Sequence, residues 1–495
     1  MNIIPEGAGS APSYYCTWEA QNNIHKSGRP QDFARFEGDQ GAQLARESMG
    51  EGLLFGGEGL ARQYDKVRKD LFFVLDDGWD VPYGINPATH RHEFGSLMVN
   101  EERFPSCTGT PAQRLEKLND RVKALGWKGL GLWVASQARG EKAGKTLSQG
   151  EAISYWTERI QWCRQAGINY WKVDWGLHCH SLTFRKMLTA LGKAHHPALV
   201  IEHCRCMLPI NEPGRFNHWG TVTEEALRIF HASDAFRSYD VTLPLSAVTT
   251  LDRLSVLLNA QTAAQGLVNC EDELYIGAAL GCTLGVMRSI FDKAPRKLDE
   301  VTRSVRWQRL APAFGTTGNT RVSNEIGTDS FHYKPGDTWA AELIGKTITQ
   351  GAPIIIAREL ALPTLYDTKD VAPFIVASKN PTGAISIATI RRTLGKEGTP
   401  LRKIQLDVGN PSHPIGIFGH YQELTLTFDR PITGKNIFAQ DLAGDTAREI
   451  TNAILIENNR LVIPGALITE IGLSNASAGD ASEPGLAIVN DKRIR

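Results

Sequence analysis

The chain has 495 residues, more than one ordinary domain holds, and length alone points to about three domain-sized units. Hydrophobic residues make up 42% and charged residues 22%, a globular composition that excludes a largely disordered chain. The 54 Lys and Arg cancel the 54 Asp and Glu, and no apolar run approaches the roughly 18–20 residues that cross a bilayer, so neither a nucleic-acid nor a membrane partner is expected.

Short apolar segments alternate with helical spacing along most of the chain. Ser13–Trp18 reads as the first strand and Leu71–Leu75 as the second, with an extra loop in the long stretch between them. Leu115, Leu118, Val122 and Leu125 recur at helical spacing after Pro111 and stop at Gly126. Gly129–Ala135 is a strand, Glu151–Gln165 a helix and Asn169–Val173 a strand; Phe184, Met187, Leu188 and Leu191 mark the next helix. Ala198–Cys204 and Ala235–Tyr239 are further strands. Leu251, Leu254, Leu258 and Thr262 return to helical spacing before a polar segment, Asn269–Glu273. Ala352–Ala357 is expected to be the last barrel strand, reached through a crossover that carries an insertion.

This rhythm is that of parallel strands buried on both faces and covered by crossover helices. Asp76, Asp77, Asp174, Arg205 and Asp240 each fall at the C-terminal end of a strand, where a β/α barrel carries its chemistry. No glycine-rich phosphate motif follows a strand. The expected fold class is therefore α/β: a (β/α)8 TIM barrel over residues 1–375, with an insertion around 283–351, and then a small C-terminal antiparallel β-sandwich over 376–495. In that last part Leu424, Leu426 and Phe428 alternate with Thr425 and Thr427, the period of a half-buried strand.

Two carboxylates followed by an indole, Asp76-Asp77-Gly78-Trp79, suit a sugar pocket: carboxylates accept from hydroxyls, and an aromatic face covers the C–H face of a ring. The bland alternative is a solvated loop with a buried Trp. In Tyr170-Trp171-Lys172-Val173-Asp174-Trp175, Lys172 and Asp174 share one face of a strand. A lysine there favours the ionised acid, as a nucleophile requires; an ordinary ion pair in a barrel mouth is the competing reading. Phe236 to Asp240 brings a further carboxylate, and a retaining glycosidase needs two.

In order, Trp18-Glu19, Asp76-Asp77-Gly78-Trp79, Gly131-Leu132-Trp133, Trp171-Lys172-Val173-Asp174, Arg237 to Asp240, Asn269 to Leu274 and Ala352 to Leu360 resemble the retaining α-galactosidase clan, glycoside hydrolase families 27 and 36 (melibiase-like). The resemblance implies Asp174 as nucleophile and Asp240 as acid/base. It implies Asp76, Asp77 and Lys172 as hydroxyl ligands, Trp18 and Trp133 as ring-pocket walls, and Arg237 and Asp272 as completing the site. It implies an oligosaccharide or glycoside partner and no cofactor. The chain departs from the family pattern in having Arg237-x-x-Asp240, which leaves Asp234 as an alternative acid. Arg205 stands where family 36 has a glycine run, and a contact with a substituted, acidic or extended glycan is expected of it. Same-clan action on a β-L-arabinopyranoside, α-N-acetylgalactosaminide or α-glucan stays open, as does a catalytically silent carbohydrate-binding protein.

His178-Cys179-His180 and His203-Cys204-Arg205-Cys206 carry metal-capable side chains, but their spacings match no common zinc motif, so no metal is expected. All eight cysteines lie before residue 283. The N-terminus lacks a basic then apolar leader, which predicts a cytoplasmic chain, or a secreted or periplasmic one if a leader has been removed. A homo-oligomer is compatible with these features.

Overall fold

Eight short strands close into a parallel barrel: β1 (Tyr14–Cys16), β2 (Phe72–Leu75), β3 (Gly129–Val134), β4 (Tyr170–Val173), β5 (Val200–Cys206), β6 (Ala235–Tyr239), β7 (Leu267–Glu271) and β8 (Thr283–Val286). The computed structural model describes residues 1–25, 39–206, 222–239, 243–262, 266–288, 296–335, 344–366, 371–393, 399–410 and 412–490. Closure comes from β1 pairing with β8, Tyr14 opposite Gly285. Residues of β2, β3, β4 and β8 are buried throughout. That explains their lack of alternation: crossover helices cover one face and the barrel interior the other.

Local signals set the helices. Thr110 and Ser148 form capping boxes with Gln113 and Glu151 and start the helices Pro111–Ala124 and Gln149–Gln165. The buried faces, Leu115, Leu118 and Val122 in the first and Trp156, Ile160 and Cys163 in the second, press on the outside of the barrel. Among the described residues, no helix is long and apolar enough to cross a membrane.

The end of the barrel differs from the sequence expectation. The eighth strand is Thr283–Val286, not Ala352–Ala357. The helix Leu274–Leu280 before it is only seven residues long and buried on every side, so it carries no amphipathic period to announce a crossover. Ile355–Arg358 is as apolar as a barrel strand because it too is fully buried, but it pairs with Thr320–Val322 and Phe374–Lys379 in another sheet.

That sheet has eight strands, in the order Arg448–Glu449, Ile437–Asp441, Gly485–Asn490, Ile415–Phe418, Ile385–Ile390, Phe374–Lys379, Ile355–Arg358 and Thr320–Val322. A five-stranded sheet joins Leu406, Leu424, Leu426 and Ile463 to the same core, making a β-sandwich. Most neighbours are antiparallel, but three pairs run parallel, among them Lys403–Gly409 with Glu423–Phe428. The larger sheet packs on the last two barrel helices, Leu274–Leu280 and Leu298–Trp307. Arg303 and Asp441 form a fully buried ion pair across this seam, and Ser386 Oγ donates to the Ala279 carbonyl at 3.0 Å. The first residues of the chain are tied to the sandwich as well: Ile3 N–H donates to Gln440 Oε1 at 2.7 Å, and Ala447 N–H to the Met1 carbonyl at 2.8 Å.

Candidate active site

Side-chain alternation decides what enters the barrel. On β4, Trp171 points outward; its ring centroid lies 6.1 Å from that of Trp156, and its indole N–H donates to Cys163 Sγ at 3.3 Å. Lys172 points inward and forms an ion pair with Asp76, which directly follows β2. Asp76 Oδ2 also accepts from Cys16 Sγ at 2.9 Å, and its Oδ1 accepts from the Asp77 N–H at 2.8 Å. Burial alone pushes Asp76 up. The Lys172 charge and the hydrogen bonds from Cys16, Lys172 and Asp77 together outweigh burial and hold its carboxyl below the ordinary value. Lys172 is lowered by burial and by Arg237, but Asp76, Cys16 and Asp174 more than reverse this and hold it well above the usual lysine value.

Asp77 meets a different cation. Arg46, on the helix Asp39–Ser48 between β1 and β2, forms an ion pair with Asp77 Oδ2. The same oxygen accepts from Trp175 Nε1 at 3.0 Å. Burial pushes the Asp77 carboxyl up despite Arg46.

Asp174 follows β4 and is 6% exposed. Its N–H donates to the Val134 carbonyl at 2.9 Å, and its Oδ2 accepts from Trp133 Nε1 at 3.0 Å. The Trp133 and Trp175 rings lie 5.3 Å apart, so one aromatic wall joins the Asp174 and Asp77 carboxylates. Trp18, just after β1, is half-buried against the apolar floor of the barrel.

Deeper in the barrel, Arg237 of β6 pairs with Glu271 of β7. Glu202 of β5 accepts from Tyr14 OH at 3.1 Å and Tyr170 OH at 2.8 Å. Burial pushes Glu202 and Glu271 up against the pull of Arg237. Gly285 makes room here: a Cβ on it would stand 2.9 Å from Tyr14 OH and 2.7 Å from Asn269 Oδ1. The sequence motifs assign no role to Tyr14, Tyr170, Glu202 or Glu271. A lone Glu inside an apolar strand is the available signal for Glu202.

The structure thus brings together Asp76, Asp77, Trp133, Lys172 and Asp174. Asp272 stands just after β7 with φ 54°; its Oδ1 accepts from the Met287 N–H at 3.0 Å and ties the ends of β7 and β8. Arg205 is the next-to-last residue of β5, opposite Ser238, and its side chain lies outside what is described. Asp240 lies outside the described residues and directly follows β6. Asp234, the alternative acid, is at the opposite end of the barrel, where its Oδ2 accepts from the Ile201 N–H at 3.1 Å.

Among the described residues, no three His, Cys, Asp or Glu side chains group as metal ligands. His178 Nε2 is 3.2 Å from Glu141 Oε2. His203 Nδ1 accepts from Arg185 at 3.1 Å, so its Nε2 carries the proton toward Thr189 Oγ1 at 2.9 Å. Burial and the Arg185 charge hold His203 well below its ordinary value. Cys16, Cys107, Cys163, Cys179, Cys204, Cys270 and Cys282 are free thiols.

No protein-family profile and no curated protein sequence matches the chain. Among solved structures it is similar to α-galactosidase I from Mortierella vinacea, at 12% identity and a TM-score of 0.40, covering 97% of this chain and 96% of that one. It is similar to a GH27 β-L-arabinopyranosidase from Geobacillus stearothermophilus, at 10% identity and a TM-score of 0.41, covering 98% and 97%. The α-galactosidase from Saccharomyces cerevisiae is also similar, at 9% identity and a TM-score of 0.37, covering 97% and 98%.

Proposed function

We propose that the protein is a glycoside hydrolase that removes terminal α-D-galactosyl residues by double displacement, with retention at the anomeric carbon. The observation that carries this reading is the Asp174 carboxylate: buried at a strand end, held by the Trp133 indole and joined through Trp175 to a second carboxylate site. In the first step Asp174 attacks C1, the bond from C1 to the leaving oxygen breaks, and Asp240 gives that oxygen its proton. In the second, water attacks C1, Asp240 takes the water proton, and Asp174 departs as a carboxylate. The two acids of a retaining pair stand about 5–5.5 Å apart, and Asp240 follows β6, two strands from β4. Asp76, Asp77 and Lys172 bind ring hydroxyls between the Trp18 and Trp133 walls. Arg237 and Asp272 support them, and Arg205 meets the outer part of the glycan.

The test is a panel of aryl α- and β-glycosides, with the first-released anomer followed by NMR. Hydrolysis of the α-galactoside with the α-anomer first is expected. The β-anomer first refutes retention, activity on another sugar alone revises the pocket, and sugar binding without hydrolysis of any glycoside refutes the enzyme.

A further inference from the structure

The long connection between β1 and β2 delivers a cation that the sequence motifs do not contain. Arg46 is 5% exposed, and its guanidinium carbon lies 5.3 Å from the Phe94 ring centroid, 5.5 Å from Trp175 and 5.9 Å from Trp18. Its helix is fastened to the rim: Gln21 Nε2 donates to the Ala45 carbonyl at 2.8 Å and the Asp77 carbonyl at 3.3 Å, and Arg103 Nη1 donates to the Arg46 carbonyl at 2.8 Å. Gly78, with φ 112°, permits this approach, because a Cβ there would stand 2.8 Å from Arg46 Cα. The guanidinium is therefore held in place before any ligand arrives.

One end of this pair is satisfied and the other is not. Asp77 Oδ2 takes Arg46 and Trp175, while Asp77 Oδ1 and Arg46 Nε and Nη1 are buried with no hydrogen-bond partner among the described residues. Native structures seldom leave such atoms unmet. A group that meets Oδ1 must donate to it and a group that meets the guanidinium must accept from it, so one that meets both carries a donor and an acceptor together. A hydroxyl does this; a carboxylate or sulfate cannot donate and meets the charge of Asp77 at close range. Resting on the sugar-binding reading above, we infer that Arg46 is a specificity-determining residue that, with Asp77, grips one hydroxyl of a neutral sugar as paired donor and acceptor.

The test is calorimetric titration of wild type, Arg46→Gln and Arg46→Lys with D-galactose, 4-deoxy-D-galactose and 6-deoxy-D-galactose. Wild type is expected to bind one of the two deoxy sugars about 10- to 100-fold more weakly than galactose, the range for a hydrogen bond to a charged group. Arg46→Gln loses a similar factor for galactose but less than about threefold for that same deoxy sugar, since groups that touch are not additive. Arg46→Lys falls between and carries the comparison if the Gln variant does not fold. An equal loss on all three sugars, or wild type binding all three equally, overturns the inference. Failure of the hydrolase reading looks different: wild type then shows the hydroxyl dependence yet cleaves no aryl glycoside. Wild type that binds none of the three sugars overturns the pair as well.

Discussion

Replacing Lys172 with Met strips the Asp76 carboxylate of its cation inside the barrel while keeping a flexible stem of similar length. The two side chains are 1% and 3% exposed, so solvent screens the pair little. Breaking a buried pair from one side costs about 3–5 kcal/mol, and relief of the repulsion between Lys172 and Arg237 puts this case at the low end. The pH dependence follows from where each group titrates. Asp76 sits below its unfolded value of about 3.9, so it adds stability above that pH, and the contribution is lost as pH falls through the folded value. Lys172 sits above its unfolded value, so its contribution is present below about pH 10 and is lost as pH rises through the folded value. Without Lys172, burial is the leading influence on Asp76 and pushes it up. The variant is then worst at neutral pH and recovers as the carboxyl protonates, a tenfold weakening of the acid amounting to about 1.4 kcal/mol. Urea unfolding followed by tryptophan fluorescence at pH 7 and near pH 4 measures this. A loss of about 3 kcal/mol at pH 7 that shrinks toward pH 4 is expected, with partial recovery in Lys172→Met/Asp76→Asn. A loss identical at both pH values, or strict additivity of the two substitutions, refutes the reasoning.

Trp133→Phe removes the N–H that holds Asp174 Oδ2; kcat/KM on an aryl α-galactoside should fall about 10- to 100-fold with folding intact. Asp240→Asn should slow glycosides with poor leaving groups far more than p-nitrophenyl glycosides, and equal loss on both counts against its acid role. Arg303→Met breaks the buried pair at the seam with the sandwich, so the urea midpoint should drop by the equivalent of about 3–5 kcal/mol while activity of the folded protein is kept.

The strand-and-rim logic of the site is legible in the sequence because it is local. Lys172 and Asp174 sit two apart on a strand, so their common face follows from the period alone, and Asp76-Asp77 end an apolar run, which puts them at a strand end. The first six barrel strands are legible for the same reason. The seventh and eighth are not, because β7 ends in the polar Asn269-Cys270-Glu271 and the helix leading to β8 is buried all round. Ile354 to Ile356 mislead because burial on both faces gives the same apolar run in a sandwich as in a barrel. Arg46 is out of reach: it lies 31 residues from Asp77, and only the folded β1–β2 connection makes them neighbours. The Tyr14–Glu202–Tyr170 cluster likewise needs register across the closed barrel.

The opening residues of the chain are hydrogen-bonded to positions 440 and 447, and β1 waits for β8 to close the ring. During synthesis Gln440 follows Ile3 by 437 residues, about 20–90 s at 5–20 residues per second, whereas Gly285 of β8 follows Tyr14 by about 270 residues, about 14–54 s. Until β8 emerges, the β1 edge carrying Tyr14 and Tyr15 lacks its final partner. The closed ring and the tie from the first residues to the sandwich are therefore completed only by segments made long after β1.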